Sequence, residues 1–185
     1  MTPPDERALL KRAQSTANGF GELFDAYYDR IYAYAYRRVG SRDNAQDIAA
    51  TVFEDALKSI KRLRWQDKPL AAWLYKIASR RVVDFYRLNS AVRAPVPIPE
   101  SDGDVGVASA GLHENLERDE EFAAVRRAIA RLNAGDRELI RLVYFDELDR
   151  VEIAALQNST TNNVYVRVHR ALKKLEGILQ NEEIN

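Results

Sequence analysis

Two blocks of helical apolar periodicity, separated by a stretch that has none, constrain this 185-residue chain more than any other feature. Between Asn89 and Gly111, Pro95, Pro97 and Pro99 alternate, then Gly103, Gly106, Ser109 and Gly111 follow with few large apolar residues. Such a stretch cannot bury enough surface to offset the entropy of ordering it, and its prolines keep the first half extended. On either side, apolar residues recur every three or four positions, the spacing of one helix face. The expected fold class is therefore all-α. Two small helical domains, 1–88 and 112–185, are joined by a flexible linker, 89–111.

The first block reads as four helices. Thr2-Pro3-Pro4 starts Asp5–Gln14, with Leu9, Leu10 and Ala13 apolar. Phe20, Leu23, Phe24, Tyr27, Ile31 and Tyr34 stripe a second helix, Phe20–Val39, its aromatics read as core. Gly40 should end it in a left-handed cap, and Ser41 should cap the next. The third carries Ala45, Ile48, Ala49, Val52, Phe53, Ala56, Leu57 and Ile60. A basic link, Lys61–Lys68, holds Trp65 and leads into Pro69–Leu88. There Leu70, Leu74, Ile77, Ala78, Phe85 and Leu88 form one arc, and Trp73, Lys76, Arg80, Asp84 and Arg87 a neighbouring one. An aromatic ring among cations suits nucleic acid, because cations neutralise phosphates and rings stack on unpaired bases. The alternative is a solvated charged face beside a core tryptophan. Arg81 lies inside the apolar arc, so it should be paired with a carboxylate or reach past its neighbours.

Lysine and arginine balance aspartate and glutamate at 28 each. Their distribution is uneven. From 58 to 93, Lys58, Lys61, Arg62, Arg64, Lys68, Lys76, Arg80, Arg81, Arg87 and Arg93 face only Asp67 and Asp84. From 100 to 121 the balance reverses, with Arg118 alone among eight carboxylates. The chain turns basic again at Arg167, Arg170, Lys173 and Lys174. Such asymmetry points to a polyanionic partner where the total does not.

Other classes are excluded by what is missing. With no cysteine, disulfides and thiolate zinc sites are impossible, and His113 and His169 are too few for a convincing metal site. No metal or other cofactor is expected. No apolar run reaches 18 residues and the first residues lack a signal-peptide core, so the expectation is a cytoplasmic protein without a membrane partner. No nucleophile–base–acid set or Gly-rich phosphate loop supports an enzyme.

The second block begins with Leu116–Leu132, where Phe122, Val125, Ile129 and Leu132 share a face. Asn133-Ala134-Gly135 should break that helix and Asp136 begin another through Phe145. After a turn at Asp146–Asp149 come a short helix with Val151, Ile153, Ala154 and Leu156, a polar turn at Gln157–Thr160, and Thr161–Leu179. On the last, Val164, Val168, Ala171, Leu172, Leu175 and Leu179 face inward. Asn162, Asn163, Tyr165, Val166, Arg167, His169, Arg170 and Lys173 are left outside. The run VYVRV could also alternate as a strand, but the helical stripe continues too far for that. Two helices across a short turn fit a helix-turn-helix, with arginine favouring guanine and asparagine adenine in the major groove. A plain αα-hairpin with a solvated face fits this segment equally.

In order along the chain, AQDIAATVFEDAL (45–57), AWLYKIASRRVVDFYR (72–87), Glu138–Phe145 and Arg150–Leu175, ending in RVHRALKKL, resemble the bacterial sigma factors of RNA polymerase. The likeness is to the sigma-70-like, two-domain extracytoplasmic-function (ECF) group and covers roughly Phe20 to Leu179. It implies a promoter-recognition subunit without catalysis. Core polymerase would be bound through its β′ clamp helices and β flap, promoter DNA at both elements, and an anti-sigma factor would be a further partner. Carried over by position, Asp47, Ala50 and Thr51 would meet polymerase. Trp73, Lys76, Arg80, Arg81 and Arg87 would lie on the −10 element. Thr161, Asn162, Asn163, Tyr165, Arg167, Arg170 and Lys173 would lie on the −35 element.

The chain departs from the family pattern at several positions. Ala50 and Thr51 stand where a glutamine and an acid are common, which would weaken polymerase contact. Arg80 replaces an asparagine, Gln157-Asn158-Ser159 a Leu-Gly-Ile turn, and Tyr165 a lysine. Ala50, Thr51 and the altered turn motivate an alternative, a degenerate sigma-like protein acting only through protein–protein contacts.

Overall fold

A computed structural model describes residues 3–92 and 115–183, which fall into two compact units before and after the 93–114 stretch. Most of the linker expected at 89–111 lies outside the described residues. Every regular element among the described residues is helical, including the VYVRV run.

The first unit holds α1 (Pro3–Ser15), α2 (Ala17–Val39), α3 (Arg42–Ile60) and α4 (Leu70–Val92). Helix α1 packs along α2, α2 along both α3 and α4, and α3 along α4. Thr16 caps α2 three residues earlier than the sequence indicates, its hydroxyl accepting the Gly19 N–H at 3.0 Å. Gly19 is where α1 and α2 come closest: a Cβ there would lie 2.2 Å from the Arg12 carbonyl oxygen. Gly40 closes α2 at φ 67°, and Ser41 caps α3, as their residue types require.

Two expectations about the core need correction. Leu57 is outside the α3 stripe, 54% exposed, while its stripe-mates from Ala45 to Ile60 are buried. The inward side of α4 is Leu70, Ala71, Leu74, Tyr75, Ala78 and Val82, whereas Ile77 and Phe85 are half-buried and Leu88 is 65% exposed. Tyr75 sets this phase. It is fully buried, edge-on to Tyr34 at 5.0 Å, with the Arg30 guanidinium 5.7 Å from its ring centroid. These two partners on α2 turn the Tyr75 arc inward ahead of the Phe85 arc. Helix α4 also continues to Val92, beyond the expected end at Leu88.

The second unit holds α5 (Asn115–Arg131), α6 (Ala134–Tyr144), α7 (Arg150–Leu156) and α8 (Thr161–Glu183). Asn133 caps α6 through the Asp136 N–H at 2.9 Å, so Ala134 and Gly135 form its first turn rather than a break. Ile129, Leu132, Ile140 and Ala171 form a core, with Val125, Phe145, Leu172 and Leu175 against it. Phe122's side chain lies outside the description. Val164, Val168 and Ala171 of α8 are buried, and Leu172, Leu175 and Leu179 partly so.

Candidate nucleic-acid interface

Helix α4 has a buried side and a cationic side. Lys76, Arg80, Val83 and Arg87 are all exposed at spacings of four, three and four, which aligns them on one face. Val83, 61% exposed, interrupts the cations with an aliphatic side chain. Trp73 is half-buried one turn before Lys76. Arg87 reaches Asp84 at 3.5 Å yet stays 79% exposed, so this contact holds it only weakly. Arg81 does not join the row. Its guanidinium forks onto the Asp55 carboxylate, with Nε at 2.6 Å, and lies 3.7 Å from Asp84. That ion pair fixes α4 against α3 and satisfies a cation on the partly buried side.

The link before α4 exposes Lys61, Arg62, Arg64 and Lys68. Trp65 is half-buried, and its indole N–H donates to Asp67 at 2.8 Å, where Asp67 takes φ 54°. The sequence marked this link as basic, but its cations were left out of the expected site.

On α3, Asp47, Ala50, Glu54 and Leu57 are exposed at three- and four-residue spacing, a surface row that explains Leu57. Thr51 is half-buried, and its hydroxyl donates to the Asp47 carbonyl at 2.8 Å.

In the second unit, α7 opens with a capping box. Asp149 accepts from Glu152 N at 2.7 Å, and Glu152 accepts from Asp149 N at 2.9 Å. It ends with Asn158 at φ 50° and the Ser159 N–H on the Ala154 carbonyl at 2.8 Å, a left-handed helix stop. Thr160 then caps α8 through Asn163 N at 3.2 Å. Thr161, Asn162, Asn163, Tyr165, Arg170 and Lys173 are exposed on α8. Arg167 is half-buried and donates to the Gln157 side-chain oxygen at 2.7 Å. Gln157 thus ties the turn to α8 by a hydrogen bond. Arg150, from the first turn of α7, sits 5.4 Å from the Tyr165 ring centroid, a contact the sequence did not reveal. Lys174 hydrogen-bonds Asp136. That bond, above all, holds the Asp136 carboxyl below its usual range; the Asn133 amide and the charges of Lys174 and Arg167 add to this, and partial burial opposes it.

No group of three or more metal-ligating side chains occurs among the described residues, nor any helix long and apolar enough to cross a membrane.

A helical unit with an exposed cationic row, followed by a second carrying a helix-turn-helix, defines a bipartite DNA-binding protein. Family models assign both parts: sigma-70 region 2 matches residues 23–92, and sigma-70 region 4 matches 122–175. The chain belongs to the sigma-70 family, in its ECF group. It is 29% identical over 94% of its length to the ECF RNA polymerase sigma factor BldN of Streptomyces coelicolor, spanning 66% of that protein. It is 28% identical over 92% to the ECF RNA polymerase sigma factor SigW of Bacillus subtilis, spanning 96% of it. In fold it resembles the solved structure of CnrH in complex with the cytosolic domain of CnrY, with a TM-score of 0.62 and 24% identity over 95% of this chain and 97% of that one.

Proposed function

We propose that this sigma factor directs RNA polymerase to promoters through the α4 row, set on the −10 element, and through α8, set on the −35 element. The observation that carries this reading is the ordered pair of family regions, each with its own exposed DNA-compatible face. Lys76, Arg80 and Arg87 supply phosphate contacts at −10, and Trp73 an aromatic edge beside the separated strand. Thr161, Asn162, Asn163, Tyr165 and Arg170 meet the −35 duplex, with Arg167 oriented by Gln157 and Lys173 on the backbone. Asp47, with Ala50 and Thr51, marks the α3 surface for the β′ clamp helices, and the second unit meets the β flap.

The chain acts as a binding subunit in the cytoplasm and performs no chemistry itself. An anti-sigma factor is a further proposed partner, since a fold neighbour, the sigma factor RpoE of Bartonella quintana, was solved in complex with the anti-sigma factor NepR. The degenerate alternative loses its main motive in the turn, because Gln157 holds the recognition helix.

Run-off transcription from fragmented genomic DNA, with purified chain and core polymerase, tests the proposal. Transcripts with discrete starts that depend on the chain are expected. Polymerase binding without any start would leave only the degenerate reading.

A further inference from the structure

Helix α1 lies outside the family-matched residues 23–92, yet two of its side chains reach the two ends of the basic link that leads into α4. Gln14 donates from its amide nitrogen to the Ile60 carbonyl at 2.9 Å and the Leu63 carbonyl at 2.7 Å, at the end of α3 and within the link. The buried Glu6 accepts the Leu70 N–H at 2.9 Å and the Tyr27 hydroxyl at 2.8 Å. Leu70 begins α4 and is preceded by Pro69, whose side chain cannot accept a hydrogen bond. Glu6 therefore acts as an N-cap supplied from 64 residues away, and its negative charge suits the helix terminus.

Between these two anchors run Lys61, Arg62, Arg64, Trp65 and Lys68. We propose that Glu6 and Gln14 are positioning residues for promoter opening, a proposal that rests on the sigma-factor reading above. They hold both ends of the cationic link, so it meets the separating DNA strand already ordered. Without them each encounter would have to order the link first, which lowers the yield of opened complex and leaves polymerase docking on α3 intact.

The test uses full-length chain, core polymerase and a promoter mapped by run-off transcription. Open complex is read by permanganate reactivity of unpaired thymines. Gln14→Ala is expected to reduce opening about tenfold, the order expected for losing two net hydrogen bonds, with core-polymerase affinity unchanged. Glu6→Ala should act likewise, and Glu6→Gln, which keeps an acceptor oxygen, should restore most of the opening. Val52→Ala is the control, a buried α3 variant that lowers stability without touching either anchor, assayed beside Gln14→Ala at one temperature at which both remain folded. Wild-type opening in Gln14→Ala, or an equal deficit in Val52→Ala, would overturn the positioning role and leave α1 a stabilising helix. Failure of the unaltered chain to open any promoter would instead strike the sigma-factor reading itself.

Discussion

The two faces proposed for DNA are held by different means. On α4 the cations Lys76, Arg80 and Arg87 stand on a helix whose opposite side is locked by Leu74, Tyr75 and Ala78, and the pairing cation, Arg81, points to the other side. On α8 the cations themselves do the holding. Arg167 bonds the turn through Gln157 and Lys174 bonds α6 through Asp136, while Arg150 of α7 lies against Tyr165. On the proposed reading, the first unit separates stability from DNA contact, and the second uses some of the same side chains for both. Substitutions should therefore divide cleanly in the first unit and show mixed effects in the second.

The largest effect should come from Tyr75→Ala. Removing a fully buried ring that meets Tyr34 and Arg30 leaves a cavity in the first unit, at a cost of about 3–5 kcal/mol. Denaturant unfolding of the chain should show one transition shifted strongly and a second in place. A uniform shift of both would mean that the units do not unfold independently, and would break the comparison at its base.

An intermediate effect separates the faces. The double variant Arg80→Ala, Arg87→Ala should leave melting nearly unchanged and reduce the salt slope of holoenzyme–promoter binding by about 2, close to 0.9 per phosphate contact. Gln157→Ala removes no charge. It should keep the salt slope and still weaken −35 protection severalfold, because Arg167 loses the bond that orients it. A reduced slope in Gln157→Ala would show that Arg167 needs that bond to reach its phosphate at all.

Much of this was legible in the sequence, and the exceptions share a cause. Gly40, Ser41 and the Gln157–Thr160 turn are local signals, and the structure uses each locally. The phase of α4 was not legible, because apolar residues occupy more than half its circumference and two inward arcs were available. Tyr75 prevailed through Tyr34 and Arg30 on another helix. Leu57 read as core because helical spacing cannot tell the edge of a stripe from its centre. Glu6 and Gln14 carried no signal of their own in the first helix. Their partners lie 21 to 64 positions away, beyond any periodic pattern. Arg81 was legible as a cation needing a partner, but Asp55 was not named.

The smallest expected effect probes the shared duty of α8 most directly. Lys174 is more than half exposed, and Asp136 is largely covered. Their pairing should contribute less than about 1 kcal/mol. The folded Asp136 carboxyl titrates below its unfolded value, so this contribution is present above the unfolded carboxylate range, near pH 4. It is lost as pH falls through the lower folded value. Asp136→Asn should therefore lower the stability of the second unit slightly at pH 7 and hardly at all at pH 2, read by thermal melting across that window. The same substitution frees Lys174, which lies seven residues after Arg167 and four after Arg170 on one side of α8. A freed cation on that side can take a phosphate, so the salt slope should steepen by about 0.9 while stability falls. Opposite movement of the two quantities is what shared duty requires. If stability falls and the slope stays put, Lys174 serves the fold alone, and α8 resembles α4 more closely than its hydrogen bonds indicate.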